Sequence, residues 1–207
     1  MSGNLSKYWD KIHENYTSLY DNWLDKYINL FNLNSEIVEL GCGRAYSSNH
    51  LFKLGFKNIL ACDFSKTALD MVEKENSELK TMLFDMSKEF SFADNSIDII
   101  IADLSLHYFN TNTTKYIFNE IHRTLKRGGY LIARVNSVND KLHIPINSNE
   151  IEPNFYYDGN LYKRFFDKSD FEQLFKNFDI YNLEEKHMTR YVKEKVVWEF
   201  CLIKKTN

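Results

Sequence analysis

Cysteine is scarce: the 207 residues hold three, Cys42, Cys62 and Cys201, and none belongs to a CxxC pair. An odd, scattered set supports neither a disulfide framework nor a zinc site, so no metal is expected and a reducing cytoplasm fits best. Seven glycines and two prolines exclude collagen-like and low-complexity chains. No apolar run approaches the roughly 20 residues needed to span a bilayer, and the start MSGNLSKYWD lacks the apolar stretch of a secretory leader. The expectation is a cytoplasmic protein without a membrane partner. A basic excess is also missing, since 26 Lys and Arg face 29 Asp and Glu for a formal charge of -3. Binding to phosphate backbones usually draws on net positive charge, so no nucleic-acid partner is expected.

What is present suits one core. Hydrophobic residues make up 43% of the chain and aromatic residues 15%, and no linker divides it, so a single domain over residues 1–207 is expected. From Leu5 to Phe31 apolar residues recur at spacings of three and four, the mark of an amphipathic helix, broken once near Thr17 and Ser18. Residues 1–34 therefore read as a helical N-terminal cap. Then the period changes to short apolar runs at Ile37 to Leu40, Ile59 to Cys62, Met82 to Phe84, Ile97 to Ala102 and Tyr130 to Val135. Helix-length segments lie between most of them, at Tyr46 to Leu54, Lys66 to Glu75 and Thr113 to Lys126. Strands alternating with helices imply a mostly parallel, doubly wound α/β sheet covered by helices on both faces.

After Val135 the alternation lapses. Residues 137–167 are polar and aromatic and carry both prolines, and a segment of that length reads as a lid or substrate segment. A helix restarts at Ser169, where Ser169 and Glu172 have the spacing of a capping box. Two late strands, near Phe178 to Leu183 and Val196 to Ile203, follow without an intervening helical pattern and should pair antiparallel at the end of the sheet.

Chemistry gathers at the ends of the first strands. The first runs into Glu39, Leu40, Gly41, Cys42 and Gly43 just before a helix. Glycine permits a tight turn and close approach to a ligand, and a helix amino end offers N–H groups to an anionic group. Asp63 ends the second strand about 20 residues on, where such folds place an acid against ribose hydroxyls, and Asp85 closes the third. Dinucleotides and S-adenosylmethionine compete as ligands. A pyrophosphate needs a third glycine, but Tyr46 stands there, and Glu39 repels phosphates. S-adenosylmethionine has no phosphate, carries cationic sulfonium and ammonium groups, and can set its carboxylate on the helix amino end or Arg44. The residues favour it; the competing structural reading is a plain turn with two helix-capping acids.

The runs VELGCGRA (Val38 to Ala45), ACDFS (Ala61 to Ser65), FDM (Phe84 to Met86), FADNSIDIIIADLSLHYF (Phe92 to Phe109) and LKRGGYLIARVNS (Leu125 to Ser137) resemble the class I S-adenosylmethionine-dependent methyltransferases. The N-terminal KYWDKI and YDNWL look like a branch that includes lysine methyltransferases of translation factors. The later ARVNSVND, EIEPNFYY, KRFFD and VVWEF look more like bacterial small-molecule methyltransferases. The resemblance implies a Rossmann-like sheet of seven strands with an antiparallel last strand, and a methyl transfer from S-adenosylmethionine. It implies that Glu39, Gly41 and Gly43 surround the methionyl end, Asp63 takes the ribose, Phe64 packs on adenine, and Asp85 with the Met86 N–H reads its edge. Ala102 and Asp103 would present a backbone carbonyl to the cofactor ammonium. Ala45 departs from the family, which often has a third glycine there, and implies a slightly wider turn.

The acceptor side is less specific. His107 and Tyr108 follow the fourth strand and can take a proton from an acceptor, although a histidine in an apolar LHYF run more often packs structurally. Tyr16 can close over the cofactor carboxylate and Trp9 can roof the pocket; both also suit plain helix packing. Asn136 and Tyr156 are further substrate candidates. Arg134 lies in the fifth strand and Glu199 in the last, so a buried pair between them across the sheet is expected, against an acceptor-binding role for Arg134. The expected partner is a small molecule, methylated by a monomer or homodimer. A protein lysine or terminal amine acceptor, and a non-catalytic S-adenosylmethionine-binding subunit, stand as alternatives.

Overall fold

The computed structural model describes residues 8–12, 20–145 and 149–206. Residues 8–12 form helix α1. Beyond them the chain alternates through β1 (Ile37–Leu40), α2 (Tyr46–Lys53), β2 (Ile59–Asp63), α3 (Lys66–Glu75), β3 (Lys80–Leu83), β4 (Ile97–Asp103), α4 (Thr111–Thr124) and β5 (Leu125–Asn136). Three short strands follow, β6 (Asn149–Glu152), β7 (Phe155–Tyr157) and β8 (Tyr162–Arg164), then α5 (Asp170–Leu174), β9 (Phe178–Met188) and β10 (Lys195–Lys204).

The main sheet has seven strands in the order β3-β2-β1-β4-β5-β10-β9. β1 to β5 run parallel where they pair, and β10 is antiparallel to both β5 and β9. The order reverses between β1 and β4, and a ligand of an open α/β sheet sits outside the strand ends at such a switch point. Central strands bury residues of both parities because each face carries its own core. Val38, Leu40, Ile100, Ala102, Leu131, Ala133 and Phe200 pack on one face, and Ile37, Ile99, Ile101, Ile132 and Cys201 on the other with Trp23, Leu24 and Tyr27. Ser65 and Asn110 cap α3 and α4 by accepting the N–H groups of Ala68 and Thr113.

Four expectations are corrected. The helical pattern toward Phe31 ends in a short 3-10 helix, Asp25–Leu30, preceded by Asn22 in a left-handed conformation (φ 55°). Its apolar spacing still buries Trp23, Leu24 and Tyr27, which is all the sheet face requires. Helix α4 stops at Thr124, and Leu125 already belongs to β5, whose register slips against β4 between Ile97 and Ile99. The segment 137–167, read as a long loop serving as a lid or substrate segment, contains a separate three-stranded antiparallel sheet, β6-β7-β8. At α5 the cap is Asp167: its carboxylate accepts the Ser169 N–H, and its own N–H donates to Asp170, while Ser169 makes no side-chain cap. A carboxylate displaces a hydroxyl there because it is the stronger acceptor at a helix start.

Candidate functional site

The turn from β1 into α2 is built from left-handed residues. Gly41, Gly43 and Ala45 have φ of 67°, 52° and 51°. A methyl on Gly41 would lie 2.4 Å from the Ser105 Cβ, so only glycine lets β1 pass the segment after β4. Ser105 adds a hydrogen bond from its Oγ to the Leu40 carbonyl, 2.6 Å. Ala45 keeps the tight turn at a cost of roughly 1–2 kcal/mol for a left-handed alanine. Its N–H reaches the Cys42 carbonyl at 2.7 Å, which closes the turn.

The acids are held differently from one another. Asp63, buried at the end of β2, accepts the Gly43 and Ser65 N–H groups at 2.8 Å each, which ties the turn to the second strand. Glu39 points into the start of α2, where its Oε2 accepts the Ser48 N–H (3.0 Å) and Oγ–H (2.5 Å). Burial pushes the Glu39 carboxyl up to about 7, against the pull of these serine bonds. Asp85 lies past the end of β3, which stops at Leu83, and folds locally onto Ser87. Phe64 is half-buried and Met86 is buried in the core beside Phe84. Arg44 turns away from the helix amino end and pairs with Glu75 of α3.

At the end of β4 the backbone of Ala102 is buried, and Asp103 carries an ion network that the sequence reading assigned to other partners. Arg134 faces Asp103 on β4 and Glu199 on β10 in a single row across the sheet. Its guanidinium goes to Asp103 (Nε to Oδ1, 2.7 Å; Nη2 to Oδ2, 2.9 Å) and to Asp21 (Nη1 to Oδ2, 2.7 Å), not to Glu199. Glu199 is engaged elsewhere, by Lys26 at 2.5 Å and the Tyr27 hydroxyl at 3.0 Å. Arg190, from the β9–β10 turn, adds a bond from Nη1 to Asp103 Oδ2 at 2.7 Å. The two arginines overcome burial and hold the Asp103 carboxyl down to about 2. The expected Arg134–Glu199 pair is thus replaced by Asp21–Arg134–Asp103–Arg190, with the Trp23 ring 4.4 Å from the Arg134 guanidinium carbon. Asp21 sits in the YDNWL run but was given no role there, and Arg190 had no motif to mark it.

On the acceptor side, His107 is 3% exposed and its backbone carbonyl accepts the Arg164 N–H at 2.7 Å. Burial, with Lys195 and Lys163 nearby, holds its imidazole well below the usual histidine range. Tyr108 stacks obliquely against it at 4.4 Å, and Trp9 meets Tyr108 edge-on at 5.2 Å. Trp9 therefore packs on Tyr108. Asn136 is buried at the end of β5, and its Nδ2 donates to the Arg164 carbonyl at 3.4 Å. Tyr156 instead packs in the small sheet against Phe165, and no described contact joins it to His107. Tyr16 lies outside the described residues.

Comparison with known proteins agrees with this geometry. The methyltransferase domain family matches residues 38–133, from β1 into β5. The tRNA N(3)-cytidine methyltransferase METTL2 of Danio rerio is 28% identical over 163 residues, 72% of this chain and 45% of the relative. Phosphoethanolamine N-methyltransferase 1 of Triticum aestivum is 24% identical over 169 residues, 77% of this chain and 32% of the relative. The chain thus spans less than half the length of these curated relatives. Among solved structures, a SAM-dependent methyltransferase of Methanosarcina mazei superposes with a TM-score of 0.76 at 17% identity, covering 92% of this chain and all of its own. An S-adenosylmethionine-dependent methyltransferase of Clostridium acetobutylicum gives 0.70 at 20% identity, with 97% of each chain covered. With its glycine turn, the acid at the end of β2 and its β3-β2-β1-β4-β5-β10-β9 sheet, the chain has the Rossmann-like fold of the class I methyltransferases, and its residues 38–133 match the methyltransferase domain family.

Proposed function

We propose that this chain methylates a small-molecule acceptor, with S-adenosylmethionine bound across the ends of β1, β2 and β4. The residues present suit that cofactor. The space that a Cβ on Gly41 would fill is closed by Ser105 and Met86, so the backbone itself lines the turn. Asp63 is buried at the end of β2 with its carboxylate oriented by two N–H bonds, the position at which such folds set an acid against ribose hydroxyls. The bound cofactor supplies an electrophilic methyl group. The protein's own part is to align an acceptor with it and exclude water, which the buried His107, the Trp9–Tyr108 roof and the small sheet packed on Arg164 serve.

The observation that carries the small-molecule reading is the burial of His107 beneath that roof. A base of a large nucleic acid or a protein side chain would have to displace Trp9 or the β6-β7-β8 sheet to reach it. Incubation with S-adenosylmethionine carrying a labelled methyl group, in separate reactions with a low-mass metabolite fraction, bulk tRNA and denatured protein, tests the reading. Label should enter the low-mass fraction; label in tRNA or protein alone overturns it. The cofactor assignment is checked separately with Asp63→Ala. Charged hydrogen bonds are worth roughly 1.5–3 kcal/mol each, so affinity for S-adenosylhomocysteine should fall at least tenfold in calorimetry. An unchanged dissociation constant would remove Asp63 from the ribose.

A further inference from the structure

Residues 21–26 and the facing ends of β9 and β10 border a cavity of about 290 Å³ that the methyl-transfer reading does not use. That volume is at the small end of ligand pockets, which run from roughly 300 to 1,000 Å³, so its occupant is a small molecule. Buried Val197 and Met188 give it an apolar wall. Lys26, Arg134, Lys186 and Arg190 bring four cations to the lining, against the two acids Asp21 and Glu199. Asp103 and Glu184, behind the lining, balance the formal charge through their pairs with Arg190 and Lys26. What the cavity selects therefore turns on which of its hydrogen-bonding groups are already engaged.

Both acids of the lining are engaged. The two oxygens of Asp21 accept from Arg134 at 2.7 and 3.1 Å, and Glu199 is held by Lys26 and the Tyr27 hydroxyl. Two of the cations are not. Lys186 Nζ stays 3.7 Å from Oε1 of Glu184 and from Oε2 of Glu199, and it makes no hydrogen bond among the described residues. Arg190 donates to Asp103 through Nη1 and to the Tyr191 hydroxyl through Nη2, and its buried Nε has no hydrogen-bond partner among the described residues. A guanidinium has five N–H groups and an ammonium three, so these two side chains hold donors in reserve, and a buried orphan donor calls for a partner. We infer that this cavity binds the carboxylate of a small organic acid, with Lys186 and Arg190 donating to its oxygens and its apolar body on Val197 and Met188. The two coplanar oxygens of a carboxylate match the edge of a guanidinium. Phosphate shares the charge but leaves the apolar wall bare. Arg190 stands on the β9–β10 turn, where Val192 and Lys193 are exposed, so its side chain adjusts to an entering ligand without disturbing the core. The site goes beyond the methyl-transfer reading and does not depend on it.

Calorimetric titration with benzoate, benzyl alcohol and inorganic phosphate, with and without saturating S-adenosylhomocysteine, tests this. Benzoate should bind at least tenfold more tightly than benzyl alcohol, which keeps the ring but lacks the charged oxygens, and more tightly than phosphate, which lacks the ring. No binding of benzoate, or benzyl alcohol or phosphate binding as tightly, overturns the site. Benzoate that binds only when S-adenosylhomocysteine is absent also overturns it, because the anion would then occupy the place of the cofactor's own carboxylate. The Lys186 side chain is 41% exposed, so Lys186→Met should leave the melting temperature in place while weakening benzoate at least fivefold. An unchanged affinity in that variant counts against the site. Nitrogen–proton NMR of the Arg190 Nε–H, assigned by its loss in Arg190→Lys, should shift on adding benzoate; a signal that stays still overturns the assignment. S-adenosylhomocysteine failing to bind would instead overturn the methyl-transfer reading, and the benzoate result would stand by itself.

Discussion

Replacing Arg134 by methionine removes the centre of the ion network and leaves its carboxylates inside. Arg134 is 4% exposed and donates to both oxygens of Asp103 and of Asp21. Asp103, 10% exposed, keeps only Arg190, while Asp21, at 23%, regains some water. Breaking a buried pair from one side costs about 3–5 kcal/mol. Arg190 and the partial exposure of Asp21 put this case near the low end, about 3 kcal/mol. For a domain of this size the melting temperature should fall by roughly 6–12 °C.

The pH dependence gives a second handle on the same network. The Asp103 carboxyl is lowered from an ordinary value near 4 to about 2, so its stabilisation is complete above pH 4 and is lost as the pH falls toward 2. The gap between the native protein and Arg134→Met should therefore narrow over that window. Thermal melts of two double-mutant cycles decide the partner. Arg134→Met with Asp103→Leu should show a coupling of about 1–3 kcal/mol, whereas Arg134→Met with Glu199→Leu should be additive within about 0.5 kcal/mol. The opposite result, coupling to Glu199 and additivity with Asp103, would refute the network.

Two other substitutions probe the turn. Burial raises the Glu39 carboxyl to about 7, above its unfolded value of 4.5, so stability from this group is present below pH 4.5 and lost as the pH rises through 7. Glu39→Gln should therefore stabilise the ligand-free protein above pH 7 by about 1–3 kcal/mol and do little at pH 4, and equal effects at both in urea titrations would contradict this. Gly41→Ala meets the Ser105 Cβ and a φ of +67°, and should cost about 2–4 kcal/mol, partly recovered by Ser105→Gly; a native-like melt would show that the turn can open.

Local pattern alone settled much of this protein. The β-branched runs of β1, β2, β4 and β5 are short, apolar and separated by helical periods, and any chain with that alternation must bury both faces of a parallel sheet. The places of Gly41, Gly43 and Asp63 at the turn and at the end of β2 were legible because the sequence order fixes where strands end. Tertiary structure decided what depended on competition. Arg134 had two carboxylates beside it in the sheet, and the outcome turned on Lys26 and Tyr27 having taken Glu199, and on Asp21 arriving from a distant turn. Arg44 went to Glu75 and the cap of α5 to Asp167 for the same reason: a charged group takes the strongest partner within reach, and reach is set by packing. The segment 137–167 became a sheet because Arg164 and Phe166 could hydrogen-bond to the backbone at His107 and Asn136, contacts that no spacing along the chain encodes.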